Sequence, residues 1–115
     1  GIITSTRAQI ITEAGDIVLS RKDMGTSYHL SVVLDDAAQD ITDVVRGHDL
    51  FEATKIHVLL QDLLGLPTPN YHHHDLIRDD QGKRLAKRDD ARAIAKFRDE
   101  GYTADDIRKL VGLPR

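Results

Sequence analysis

Residues 51–64 constrain the fold more than any other stretch of this chain. Ile56, Leu59, Leu60, Leu63 and Leu64 recur at three- and four-residue spacing and make one apolar stripe of a helix. Gly65 stands where a left-handed C-terminal cap is wanted, and Pro67 blocks continuation. Strand candidates flank the helix: residues 41–46, stopped by Gly47, and residues 71–77. A helix of this length suffices for a crossover between two parallel strands, which predicts an α/β fold with flanking helices and a short, mainly parallel sheet.

The other elements are read around that unit. Residues 28–34 are the best strand candidate, because Leu30, Val32, Val33 and Leu34 form a near-continuous apolar run. Asp35-Asp36 would end it. Residues 16–20 read as a shorter strand after a Gly15-Asp16 turn. Residues 1–15 fit a strand or a short helix. Residues 79–82 read as a polar turn. Asp89 or Asp90 can cap a helix through Ile94 and Phe97 that Gly101 ends. Thr103 with Asp106 resembles a capping box ahead of a stripe of Ile107, Leu110 and Val111, and Gly112 and Pro114 close that helix.

With 115 residues the chain has little margin for a core, and three or four strands make a thin sheet, as expected if part of a domain lies elsewhere. A start at Gly1 rather than Met points the same way. The net charge of −3 argues against a broad nucleic-acid-coating face, though not against a local phosphate site. The absence of cysteine removes disulfides, thiolate metal sites and a Cys nucleophile, and is compatible with a cytoplasmic protein. No apolar run approaches the roughly 20 residues that span a bilayer, so no membrane partner is expected.

Chemistry concentrates at Lys83-Arg84-Leu85-Ala86-Lys87-Arg88, which places four cations in six residues after a strand and a turn. Lys offers a mobile point charge and Arg a bidentate fork, a combination suited to polyphosphate. Composition alone favours a solvated basic surface loop, since short basic runs are common. His72-His73-His74 raises a metal question. Alternate strand residues share a face, so only His72 and His74 converge, and two imidazoles without a third ligand make a poor zinc site. No metal site is assigned.

The context of the basic run carries a family resemblance. Residues 71–88 read YHHHDLIRDDQGKRLAKR and resemble the strand, turn and loop of class I aminoacyl-tRNA synthetases of the glutamyl type. Residues 84–88, RLAKR, stand where that family has its KLSKR or KMSKS signature. Upstream, Ser27-Tyr28-His29-Leu30 with Val33-Leu34-Asp35-Asp36 resembles YHL…VVDD. Val44-Val45-Arg46-Gly47 with Asp49-Leu50 resembles VIRG-x-DL, and residues 64–69 match LGLPTP. The likeness spans residues 16–112.

The resemblance implies the C-terminal half of a Rossmann-like catalytic domain over residues 1–88, followed by a helical tail over 89–115. It implies ATP, with Mg2+, as the nucleotide, and glutamate and tRNA as further partners. Lys87 matches the lysine that stabilises the triphosphate as pyrophosphate leaves. Arg84, Arg88, Leu76, Ile77 and His73 fall at positions around ATP, and Tyr28 and Arg46 at positions lining the glutamate pocket. Away from the family context, Tyr28 is more often a core-edge residue and Arg46 a surface ion-pair partner. Arg84 and Ala86 replace the usual Lys and Ser of the signature.

Asp36-Ala37-Ala38-Gln39-Asp40-Ile41-Thr42, and only 27 residues after Arg88, resemble the glutamyl-queuosine branch, whose members glutamylate queuosine in tRNA(Asp) without an anticodon-binding domain. A glutamyl-tRNA synthetase cut at this point would look similar. The family's His-x-Gly-His signature does not occur here, nor does the zinc-binding insertion of some relatives. The expectation is a chain inactive alone, prone to self-association, and part of a longer ligase. The rival expectation is a non-catalytic, synthetase-like binding module.

Overall fold

A computed structural model describes residues 1–85 and 93–113, and the chain divides into two compact units, Gly1–Asp75 and Leu76–Arg115.

The first unit opens with helix α1, Arg7–Glu13. Thr6 and Gln9 close a reciprocal capping box: Thr6 Oγ1 accepts from the Gln9 N–H at 3.2 Å and Gln9 Oε1 from the Thr6 N–H at 2.8 Å. The short strands β1, Ser20–Arg21, and β2, Gly25–Thr26, pair antiparallel. Helix α2, Tyr28–Ala38, leads to strand β3, Asp43–Gly47, and a 3-10 turn at His48–Leu50. Helix α3, Phe51–Leu64, then crosses to strand β4, Asn70–His74, which pairs parallel with β3 from Asp43↔Asn70 to Gly47↔His74. The strand–helix–strand unit expected from the α3 pattern is present. Gly65, at φ 65°, reverses the chain after α3 while the Leu66 N–H reaches the Gln61 carbonyl at 2.8 Å.

Four sequence expectations are corrected. Residues 28–34 are the first two turns of α2, not a strand. Ser27 occupies the N-cap position with extended backbone, the helix runs through Asp35 and Asp36, and Asp40 at φ 53° follows its end. Residues 16–20 are extended only at Ser20, and the last strand stops at His74 rather than at Ile77. The interior face of α3 is also not the expected stripe. Leu63 and Leu64 are exposed, whereas Thr54, His57, Leu60 and Gln61 are buried. These four recur at three- and four-residue spacing, so the buried face is mostly polar, a reversal of the expected apolar stripe that leaves Leu60 in common while Ile56 and Leu59 are half-buried.

Packing explains that reversal. α2 lies on α3, and Val33 and Leu60 are the buried apolar residues among those described. The remaining buried side chains are Arg46, Thr54, His57 and Gln61. Buried polar groups are tolerable only when hydrogen-bonded. Gln61 Nε2 accordingly donates to the Tyr71 hydroxyl at 2.7 Å, and the others form the network described below.

The second unit contains a turn over residues 78–84, helix α4, Ile94–Asp99, and helix α5, Ala104–Leu110. The expected capping box is present, with Thr103 Oγ1 accepting from the Asp106 N–H at 3.2 Å. Asp89, Asp90 and Pro114, assigned above as helix boundaries, lie outside the described residues. No helix among the described residues is long and apolar enough to cross a membrane.

Candidate active site

The site is organised by Arg46, the fourth residue of β3, turned inward under α3. Alternation along the strand puts Val45 in solvent and Arg46 inside, 8% exposed. Arg46 Nη1 donates to His57 Nδ1 at 3.0 Å and to Thr54 Oγ1 at 3.4 Å, and its guanidinium lies over the Tyr71 ring at 5.0 Å. All three neighbours are uncharged. Among the described residues no carboxylate lies within ion-pair distance of Arg46. A guanidinium carries five N–H donors. The two on Nη1 are spent on His57 and Thr54, which leaves the edge formed by Nε and Nη2.

The hydrogen bonds fix the proton positions around it. Arg46 can only donate, so His57 Nδ1 accepts, and the proton of the neutral ring sits on Nε2. From there it is donated to His29 Nδ1 at 3.0 Å. Burial, reinforced by the Arg46 cation and by His29, lowers the His57 pKa to about 4, so the ring is uncharged at neutral pH. Thr54 donates to the Leu50 carbonyl at 2.9 Å, and its oxygen meets His73 Nε2 at 2.8 Å. Burial also lowers the His73 pKa, with Arg46, His48 and His74 adding to the effect. Burial raises the Tyr71 pKa.

The sequence-assigned residues fall into three groups. Tyr28 and Arg46 converge on one residue: the Tyr28 ring, half-exposed at the start of α2, stands edge-on to His57 with centroids 5.6 Å apart. His73 joins the same network through Thr54 and packs edge-on against Phe51 at 5.2 Å. Leu76, Ile77 and Arg84 belong to the second unit. There the Leu85 N–H donates to the Ile77 carbonyl at 3.2 Å, Arg78 pairs with Arg84, and Asp79 Oδ1 accepts from the N–H groups of Gln81 and Lys83. This is a tight turn that presents the start of the basic run. Ala86, Lys87 and Arg88 lie outside the described residues. His72 and His74 share the exposed face of β4. His72 Nε2 lies 3.3 Å from Asp43 Oδ1, and His74 Nδ1 lies 2.9 Å from the Asp75 carbonyl oxygen. The neighbouring Thr42, His72 and Asn70 lower the Asp43 pKa.

Sequence reading missed His29, Thr54, His57 and Tyr71 as parts of the site. One signal was available: Thr54, His57 and Gln61 are polar positions at helical spacing on one face of a helix that crosses directly above Arg46.

A buried polar network beneath a βαβ crossover is the chemical feature of the first unit. The family of class I tRNA synthetases (E and Q), catalytic domain, matches residues 4–113, and the chain belongs to it. Among its relatives, the glutamyl-Q tRNA(Asp) synthetase of Rhodobacter capsulatus is 70% identical over 104 residues, covering 90% of this chain and 37% of that protein. In solved structures, the glutamate-tRNA synthetase of Elizabethkingia anophelis matches with a TM-score of 0.57 and 32% identity, over 76% of this chain and 16% of that one. The glutamate tRNA ligase of Elizabethkingia meningosepticum, solved in complex with its amino acid, matches with a TM-score of 0.55 and 30% identity, over 73% and 16%. The chain thus spans about a third of the length of the glutamyl-Q relative.

Proposed function

We propose that this chain supplies the glutamate side-chain pocket and the pyrophosphate side of an ATP-dependent synthetase site. The observation that carries the reading is Arg46: a buried cation whose described neighbours are neutral and whose Nε–Nη2 edge no described residue engages. A desolvated charge without a counter-charge is costly, and a carboxylate arriving as a bidentate partner offsets that cost. Tyr28 walls the same space. On this reading glutamate is the amino acid, and ATP with Mg2+ is the energy source. The nucleotide is held by His73, Leu76, Ile77, Arg84, Arg88 and Lys87, with Lys87 stabilising the departing pyrophosphate. Residues 1–88 then form the catalytic part and 89–115 a helical tail. The acceptor is tRNA, and the 70% likeness to a glutamyl-Q tRNA(Asp) synthetase supports queuosine of tRNA(Asp) and a cytoplasmic setting. Exposed Val45 and Leu63 offer apolar surface for self-association of the isolated chain.

The test is glutamate-dependent ATP–pyrophosphate exchange in the complete polypeptide carrying this sequence, beside the 115-residue chain alone. Lys87→Ala should slow exchange at least about tenfold, as expected for loss of a cation at a transferring phosphate. Arg46→Gln should weaken glutamate binding by about 2–5 kcal/mol with little change for ATP. The chain alone should not exchange, because it has no His-x-Gly-His segment to complete the phosphate site. Wild-type exchange by Lys87→Ala, or an unchanged glutamate KM for Arg46→Gln, removes the corresponding assignment.

A further inference from the structure

His57 is 0% exposed, and it is not an apolar residue. Its ring is gripped at both nitrogens: Nδ1 accepts from Arg46 at 3.0 Å and Nε2 donates to His29 at 3.0 Å. A helix interior facing a second helix would ordinarily hold Leu or Ile at such a position. A buried Arg would ordinarily be paired with a carboxylate. Here an uncharged acceptor takes that place. An Asp or Glu at 57 would neutralise Arg46 and compete with any carboxylate approaching from outside. An aliphatic residue would leave the guanidinium free to rotate.

We infer that His57 is a positioning residue: it holds the Arg46 guanidinium by its Nη1 edge as a neutral acceptor, so that the Nε–Nη2 edge and the undiminished positive charge face the glutamate carboxylate. Thr54 assists by taking the second Nη1 proton, and His29 fixes the orientation of the imidazole from the far side. This inference rests on the glutamate assignment of Arg46 made above. The chemistry of the site then depends on a tautomer. Only the Nε2–H form of His57 can accept from Arg46 and donate to His29 at once.

The inference is tested in the complete polypeptide by glutamate-dependent pyrophosphate exchange, with KM for glutamate and for ATP measured separately. His57→Leu should raise the glutamate KM at least about tenfold, the scale of one lost hydrogen bond to a charged group, and leave the ATP KM within about twofold. His57→Gln keeps an acceptor and a donor on one side chain and should restore the glutamate KM to within about threefold of wild type. Arg46→Gln is the control for the underlying assignment. If it leaves the glutamate KM unchanged, the glutamate reading itself fails and the inference falls with it. If Arg46→Gln raises that KM and His57→Leu does not, only the positioning role fails. Equal damage from His57→Leu and His57→Gln would reduce His57 to a matter of shape and overturn the role. A measurement on the unaltered protein stands even if His57→Leu does not fold. Nitrogen-15 imidazole spectra at neutral pH should show His57 with its proton on Nε2, and glutamate should shift the Nδ1 resonance whereas ATP alone should not. An Nδ1–H ring, or an imidazolium, overturns the inference.

Discussion

The two compact units hold their shape by opposite means. In residues 1–75 the decisive bonds join positions distant in sequence: His29 to His57, Arg46 to His57, Thr54 to His73, Gln61 to Tyr71. In residues 76–115 they join near neighbours. Asp79 Oδ1 gathers the N–H groups of Gln81 and Lys83, Thr103 and Asp106 cap each other, and Phe97 meets Tyr102 edge-on at 5.3 Å. No described residue of the second unit is buried, whereas the first buries a polar network between helix and sheet. Local devices form whatever the rest of the chain does. The network forms only when α2, α3, β3 and β4 are all in place, so its integrity reports on the whole first unit.

The sharpest way to break this comparison is acid. His57 is held neutral in the folded protein, with a pKa lowered from 6.5 to about 4, so below pH 6.5 the unfolded chain takes up a proton that the folded chain refuses. Stability contributed by the neutral ring is complete above pH 6.5 and falls as the pH drops, by about 3 kcal/mol on reaching pH 4. Urea unfolding between about pH 7 and about pH 4.5 should show this decline in the first unit. His57→Gln should lack that component, and parallel pH profiles for the two proteins would refute it.

The next effect is apolar. Val33→Ala removes the methyl groups that pack α2 on α3 and should cost the first unit about 2 kcal/mol. Hydrogen exchange should rise together in α2, α3, β3 and β4. Acceleration confined to α2 would mean that the network does not bind the four elements into one cooperative unit.

The smallest effect belongs to the second unit. Thr103→Ala removes a cap and should cost about 1 kcal/mol, seen as faster exchange at the first turn of α5 and nowhere in residues 1–75. A global shift in unfolding would erase the contrast between the units.

The same contrast explains what the sequence disclosed. The α3 helix, its Gly65 stop and the Thr103 box were legible because their determinants lie within a few residues. The parallel pairing of β3 with β4 followed from the helix between them. Residues 28–34 misled because a short apolar run without alternation fits a buried helix face as well as a strand. Here Val33 alone is fully buried, and Asp35 to Ala38 extend the helix. Arg46 and Tyr28 were found by resemblance, and the structure brings both to His57. His57 itself was hidden, because a histidine among leucines gives no sign of being enclosed until the arginine two elements away is placed beside it.

Arg46, Thr54, His57 and His73 all lie between Asp43 and His74, in one uninterrupted piece of chain. Recombination between related genes that exchanges this piece would move the arginine together with the groups that orient it. The seam of such a chimera runs along α2, where His29 hydrogen-bonds to His57, the Tyr28 ring stands edge-on to the same imidazole, and Val33 is buried. The orientation of that arginine can therefore be inherited as a cassette, with compatibility decided along the part of α2 that carries Tyr28, His29 and Val33.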